Sequence, residues 1–339
     1  MGGYKKKLSC MLIVMKKQII SNPCMLILYG PTGTGKTDMA LKIAEHVPAE
    51  IINMDMGQFY TSVSIGTAKP DWKNSITPHH LFDIIDQPVN YTVSEYRMLL
   101  YKTVRDIIQR NKIPIIVGGS SFYLYSLFFP PQEVIQCGDI SHLYSKNTTM
   151  WDELYMIDPH RALSIAKTDI YRINRALAIW HATKKLPSSY APTYKPEMNF
   201  FLLFVTRDRQ DLISRIENRV VEMIQHGWID EAKALIDTPW KNFLQQKNMI
   251  GYNEIFNYLS HEKSIISHSL LINQINIKTR QYAKRQCTFW GKLEREIKRE
   301  TKYTNSNIDC IETVNLTNVD MDLYINELLQ RFSLDRNHE

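Results

Sequence analysis

Residues 30–37 read Gly-Pro-Thr-Gly-Thr-Gly-Lys-Thr and satisfy the pattern GxxxxGK[ST]. Such a run holds phosphate. Its glycines let the backbone turn N–H groups toward an anion, and a following helix adds the positive end of its dipole. Lys36 supplies a point charge, and the Thr37 hydroxyl is a ligand type suited to Mg2+. Thr32, Gly33, Thr34 and Gly35 complete the cradle. Asp55 closes an apolar run, "AEIINMD", at the end where α/β sheets place ligands. By position alone it is either a general base or the cap of a turn or helix. A nucleotide-hydrolysing protein needs a further strand ending in an acid that holds magnesium. Here "KIPIIVGG" (112–119) ends in Gly118–Gly119 instead. The cradle is strong and the ATP-splitting apparatus weak, which points to a different diphosphate.

These groups need a frame. "CMLILYG" (24–30), "AEIINMD" (49–55), "KIPIIVGG" and "NFFLLFVT" (199–206) are short continuous apolar runs, the pattern of buried strands. Between them, "TDMALKIAEHV" places Met39, Ala40, Ile43, Ala44 and Val47 at helical spacing, and "SEYRMLLYKTVRDIIQRN" follows a capping serine. Strands alternating with helices predict an α/β fold, a P-loop NTPase-like parallel sheet flanked by helices. The expected organisation is a disordered extension over 1–23, a core from 24–127 and 196–303, a smaller helical insertion domain over 128–195, and a tail over 304–339.

Composition narrows the class. The chain has 339 residues, 44% hydrophobic and 22% charged, enough apolar material for a proper core. No apolar run reaches the roughly 18 residues of a membrane span, and the start lacks a signal-peptide cleavage pattern. The five cysteines form no CxxC, which fits free thiols in a reducing cytoplasm. The net charge is +6. Residues 278–302 hold nine basic residues against three glutamates, an excess as large as that of the whole chain. Arg280 and Lys284 repel as i,i+4 neighbours. A polyanion on that face would relieve them, and a solvated helix is the other reading.

Several segments carry a resemblance: "GPTGTGKT" (30–37), "DMGQFYTSVSIGTAKP" (55–70), "PHHLFDI" (78–84), "VGGSSFYLYSL" (117–127), "RINRAL" (172–177), "RIENRVVEMIQHG" (215–227), "IGYNE" (250–254) and "IKTRQYAKRQCTFW" (277–290). Together they resemble the tRNA dimethylallyltransferases, also called tRNA isopentenyltransferases, over roughly residues 25–295. The resemblance implies transfer of a five-carbon isoprenoid from dimethylallyl diphosphate to N6 of adenosine 37 in a tRNA anticodon stem-loop. In that family the loop holds the diphosphate leaving group, so the missing acidic strand is expected. Lys36, Thr37 and the loop amides then stabilise departing diphosphate with Mg2+, and Asp55 is the general base. Ser120 stands where the family has threonine. Arg215 or Arg219 meets the diphosphate, with Arg215 preferred.

The target base must be extruded from a stacked loop. Gln58 is then placed to read the adenine edge. Phe59, Tyr60 and Tyr252 are stacking candidates, with Phe59 fitting a core better. Lys278, Arg280, Lys284 and Arg285 on the basic helix, and Arg172 and Arg175 in the insertion, are expected tRNA contacts. The chain departs from the family at Met56, where a serine is usual, and at Asn253, where a cation is common. The insertion is about twenty residues shorter than the family norm. The resemblance implies a monomer. Two other readings compete: a P-loop nucleoside or nucleotide kinase, and a non-catalytic RNA-binding module.

Overall fold

A computed structural model of the chain describes residues 24–131, 150–260, 267–301 and 310–334. The extension expected over 1–23 lies outside them. Strands β1 (Cys24–Tyr29), β2 (Ala49–Asn53), β3 (His79–His80), β4 (Ile113–Gly118), β5 (Asn199–Thr206) and β6 (Cys310–Asn315) form one sheet in the order β3-β2-β4-β1-β5-β6. All five pairings are parallel. The four apolar runs are four of these strands. Met25 to Tyr29 is buried throughout, as an inner strand covered on both faces requires.

Register decides where the chemistry emerges. Tyr29 pairs with Gly118, and Asn53 pairs with Val117. The tips of β2, β4 and β1 are therefore level. The phosphate loop, Asp55 and Gly119 leave the sheet side by side. Gly118 is required there, because a Cβ would stand 2.2 Å from the Met54 carbonyl oxygen.

Helix α1 (Lys36–His46) buries Met39, Ala40 and Ile43. Helix α2 (Val93–Gln109) opens with a capping box, the Thr92 side chain on the Glu95 N–H and the Glu95 side chain returning to Thr92. Helix α3 (Ser121–Phe128) follows β4.

The chain divides into two compact units, residues 126–196 and the remainder. The smaller holds α4 (Met150–Ile157), α5 (Pro159–Leu163) and α6 (Ile170–Thr183) around Leu154, Ala162, Ile165, Ile173, Ala176 and Leu177. Its Asp158 caps α5 at the Arg161 N–H and also accepts from the Ser188 N–H.

The larger unit resumes with α7 (Arg209–Gln225), α8 (Trp228–Leu235), α9 (Pro239–Gln246), α10 (Tyr252–Ser260), α11 (His268–Thr301) and α12 (Met321–Leu334). Helix α11 buries Leu271 and Ile275, and then Ala283, Gln286, Trp290, Leu293 and Ile297, on one helical stripe and packs on α7. Residues 310–334 correct the expectation of a plain tail. Strand β6 extends the sheet beside β5, and Ile325, Leu328 and Leu329 of α12 join the core beneath α1. Among the described residues no helix is long and apolar enough to cross a membrane.

Candidate active site

The loop after β1 is held from outside by cations. Gly33 and Gly35 take φ of 84° and 93°, a left-handed backbone that side chains disfavour. Arg207 Nε donates to the Thr34 carbonyl at 2.9 Å, and Arg215 Nε to the Gly33 carbonyl at 2.9 Å. Arg219 Nη1 reaches the Thr32 hydroxyl at 3.4 Å. Inside the loop, Lys36 Nζ donates to the Pro31 carbonyl at 2.7 Å. The N–H groups of Gly33 to Thr37 have no protein acceptor among the described residues, as expected of a loop leading into a helix start. The loop thus points carbonyls at guanidinium groups and offers its amides to an anion.

Gln286 of α11 adds a second brace that the sequence reading missed. It is 1% exposed. Its Oε1 accepts from the Thr32 N–H at 3.0 Å and its Nε2 donates to the Gly119 carbonyl at 2.8 Å. One side chain thereby fixes the phosphate loop to the tip of β4. The signal lay inside "TRQYAKRQ", whose cations drew the attention.

Asp55 takes up the capping role that its position allowed and keeps one carboxylate oxygen toward the cavities. It caps a short 3-10 helix over Met56–Phe59, with Oδ1 accepting from the Gly57 N–H at 3.1 Å. Its Oδ2 has no protein partner among the described residues. Asn53 fixes the Asp55 backbone, accepting from its N–H at 2.8 Å. Ser120 Oγ accepts from the Met56 N–H at 3.0 Å, so this hydroxyl holds the backbone at the altered position 56.

Burial pushes the Asp55 carboxyl above its ordinary range, although Gly57, Lys36 and Arg219 all pull it down. Burial lowers Lys36 to about 7, opposed by Asp55 and helped by Arg219. It also lowers Arg219, which Asp55 and Asp38 partly offset.

Three cavities meet here. Lys36, Thr37, Arg215 and Arg219 border one of about 440 Å³. Asp55, Thr32 and Arg219 border a second of about 390 Å³, whose wall includes Met56, Ile216, Val220, Met223, Trp228, Met249, Ile250 and Tyr282. A third, of about 70 Å³, touches Lys36, Thr37, Asp55, Gln58, His79 and Arg219. Arg219 lines all three, whereas Arg215 is exposed and lines only the first. One helical turn between them makes that difference.

The "IGTAKP" loop is held rigidly. Glu231 accepts from the N–H groups of Ser64, Ile65 and Gly66 at 2.7, 2.8 and 3.0 Å, and from the Tyr252 hydroxyl at 2.7 Å. Lys69 pairs with Asp83 beneath it. Gln58 Nε2 donates to the Thr67 carbonyl at 3.1 Å, so its amide nitrogen is engaged by this loop.

Two of the three stacking candidates need correction, and Phe59 lies in the core as its type favoured. Phe59 is fully buried among Tyr91, Tyr96 and Tyr123. Tyr60 is fully buried with its hydroxyl on the Val89 carbonyl. Tyr252 is fully buried and spent on Glu231. None can receive a base. Tyr282 lines the 390 Å³ cavity instead, its hydroxyl on the Gly119 carbonyl at 3.3 Å and Arg285 over its ring at 5.8 Å.

The basic helix is uneven. Lys278 pairs with Glu254, and Arg280 with Glu217 at 2.5 Å. Lys284 and Arg285 are exposed without an ion pair among the described residues. On the smaller unit, Arg172 and Arg175 are exposed on α6, with Arg172 3.4 Å from Asp169.

The fold and site define a P-loop-type α/β protein in which a phosphate cradle opens beside a carboxylate and a largely apolar chamber. The family model described as IPP transferase matches residues 58–293, and the chain belongs to that family. A tRNA dimethylallyltransferase from Pseudothermotoga lettingae is 33% identical over 297 residues, covering 86% of this chain and 93% of the relative. Another from Syntrophomonas wolfei is 35% identical over 289 residues, covering 80% and 89%. The crystal structure of the tRNA isopentenylpyrophosphate transferase from Bacillus halodurans superposes with a TM-score of 0.63 at 27% identity, covering 93% of this chain and 99% of that one.

Proposed function

We propose that this chain transfers the dimethylallyl group of dimethylallyl diphosphate to N6 of adenosine 37 of tRNA and releases diphosphate. The observation that carries the reading is the meeting of three features at one point. The amide-lined cradle, the free oxygen of Asp55 and the apolar chamber meet around Arg219, which lines all three cavities.

The chemistry follows from that order. The N6 lone pair attacks C1 of the isoprenoid while the C1–O bond breaks and its electrons leave with diphosphate. One N6 proton passes to Asp55 Oδ2. An exocyclic amine is a weak nucleophile, and a carboxylate whose proton affinity burial has raised is the better base for it. Lys36, Arg219, Arg215 and the amides of Gly33 to Thr37 meet the growing negative charge. Preorganised donors outside bulk water carry most of such stabilisation.

A divalent cation fits this reading. Among the described residues no three His, Cys, Asp or Glu side chains form a metal cluster. Mg2+ ordinarily takes one or two protein ligands and completes its shell with phosphate and water. Thr37 would hold it, and the ion would neutralise charge on the leaving group.

The base enters the 390 Å³ chamber with Tyr282 as its aromatic neighbour and Ser120 at its edge. Gln58 lies beyond Asp55 on the small cavity, and Lys284 and Arg285 stand against RNA phosphates. Lys278 and Arg280 act on the same helix, and Arg172 and Arg175 contact RNA from the smaller unit. Replacing Asp55 by Asn tests the assignment, because the amide keeps the cap shape and loses the base. Transfer from labelled dimethylallyl diphosphate to an anticodon stem-loop should fall by about a hundredfold or more, with RNA affinity kept. A variant working at the normal rate would remove Asp55 from this role. Wild-type protein that leaves the RNA unlabelled, with Mg2+ present, would end the reading itself.

A further inference from the structure

Residues 310–334 are distant in sequence from the phosphate loop, yet their first strand ends against it. Strand β6 runs parallel to β5, and the Leu316 N–H donates to the Thr206 carbonyl at 3.0 Å. The turns that follow the two strands are stitched together. Asn315 Nδ2 donates to Asp208 Oδ1 at 2.7 Å, the Asp208 N–H to the Thr317 hydroxyl at 3.0 Å, and that hydroxyl to Asp211 Oδ2 at 2.6 Å. Arg207 stands inside this network, its side chain 12% exposed. Its Nη1 donates to Asp211 Oδ2 at 2.8 Å and to the Leu316 carbonyl at 3.2 Å, while its Nε donates to the Thr34 carbonyl. Thr317 first and then Arg207 hold the Asp211 carboxyl below its ordinary range, which keeps it an anion.

The Thr34 contact decides where an amide points. The Thr34 carbonyl and the Gly35 N–H share one planar trans peptide and face opposite ways. A guanidinium that holds the oxygen outward therefore aims the Gly35 N–H into the cradle. An unrestrained arginine samples many rotamers, and a single bond to a carbonyl does not hold it. Asp211 and the Leu316 carbonyl remove that freedom, and both depend on β6 being in place. Leu316 itself, 6% exposed, closes the back of the loop, since a Cβ at Gly35 would meet its Cδ1 at 3.7 Å. Further along, Ile325, Leu328 and Leu329 of α12 share one apolar cluster with Met39, Ala40 and Ile43 of α1, the helix whose N-terminus faces the anion.

Taking the phosphate loop as the diphosphate cradle proposed above, we infer that the β6–α12 segment is a working part of the donor site, and that Arg207 is the positioning residue through which it aims the Gly35 amide at diphosphate. Arg207 lines none of the three cavities, so it acts through the loop. The coupling runs both ways. A segment that strengthens diphosphate binding when seated is itself seated more firmly once diphosphate binds.

Inorganic pyrophosphate with Mg2+ is the probe, and calorimetry on the full chain reads its affinity. Arg207→Met should weaken binding by about three- to tenfold, the loss of one oriented donor. Asp211→Asn keeps the side-chain shape and should weaken it by about threefold, with little risk to the fold. Arg207→Lys keeps the charge without the planar fork, and should lie closer to the Met variant than to wild type. Hydrogen exchange gives the readout that a packing role would not move. The amides of residues 311–316 exchange when the segment detaches. Saturating pyrophosphate should slow them by about the same three- to tenfold factor in wild type and leave them unchanged in Arg207→Met. Wild-type exchange that ignores pyrophosphate overturns the inference. So does wild-type affinity in the Asn or Met variant, or in the Lys variant, since the last leaves only a charge effect. If Arg207→Met does not fold, Asp211→Asn and the wild-type exchange decide. Wild type that binds no pyrophosphate removes the cradle and the inference together, whereas protein that shows these effects but labels no RNA loses the transfer reading alone.

Discussion

Gln286 offers a sharp test of how the cradle is held. The perturbation is Gln286→Leu, which preserves bulk in a site 1% exposed and removes both polar atoms. Two hydrogen bonds are lost, at 3.0 and 2.8 Å, each worth about 1 kcal/mol net. The partners are not wholly abandoned. The Gly119 carbonyl keeps the Tyr282 hydroxyl at 3.3 Å, and the Thr32 amide sits in a part-buried setting that water can reach. The destabilisation is therefore about 2 kcal/mol, not the larger penalty of a sealed orphan. For a chain of this size that lowers the melting temperature by about 3 °C. Freeing the Thr32 amide should also raise the KM for dimethylallyl diphosphate by about three- to tenfold, up to 1.4 kcal/mol. Gln286→Glu gives the control. It keeps the acceptor for Thr32 but brings an anion to an anion site. A repulsion of roughly 2 kcal/mol at an effective dielectric near 20 should weaken diphosphate binding further still. Thermal melts with and without pyrophosphate, and initial rates against donor concentration, measure both effects. A Leu variant identical to wild type in melting and KM would refute the reasoning, as would a Glu variant that binds pyrophosphate better than the Leu one.

Two more outcomes are expected. Lys36 is held at about 7, so above that pH it is largely neutral without an anion and charged beside one. Pyrophosphate binding should take up about one proton more per site in wild type than in Lys36→Met at pH 8, and this difference should vanish below about pH 6. Calorimetry in buffers of different ionisation enthalpy reads it, and equal proton counts in the two proteins would contradict it. Replacing Lys284 or Arg285 should each reduce the salt slope of stem-loop binding by about 1. Lys278 and Arg280, already tied to Glu254 and Glu217, should each change it less, and four equal effects in anisotropy titrations would dismiss that distinction.

The sheet was largely legible because its inner strands are buried on both faces and so read as unbroken apolar runs. The edges were not. His79 and His80 contribute a two-residue strand inside a polar segment. Strand β6 carries Ile311 and Val314 among polar residues, a half-covered pattern too short to stand out. At the site, local chemistry could be read and distant partnership could not. The phosphate loop is a contiguous motif, whereas Gln286 meets Thr32 across 254 residues. Arg215 and Arg219 share a helix face, so spacing alone could not rank their depth. Tyr60 and Tyr252 failed as stacking candidates for a related reason. Residue type gives a ring but not its direction, and both rings are fully buried.

The arginines outside the phosphate loop have a kinetic consequence. Arg207, Arg215 and Arg219 engage residues 34, 33 and 32, so α7 and the residue pair before it grip the loop in reverse chain order. Inverting the peptide that carries the Gly33 or the Thr34 carbonyl would break a guanidinium contact and swing an oxygen into the anion's place. The loop therefore needs little ordering when the donor arrives, and donor capture should not wait on loop closure. The same preparation persists after the carbon–oxygen bond has broken. A vessel already shaped for diphosphate also keeps it, so the difficulty moves from entry to departure, and free pyrophosphate competes with fresh donor for a cradle that never relaxes.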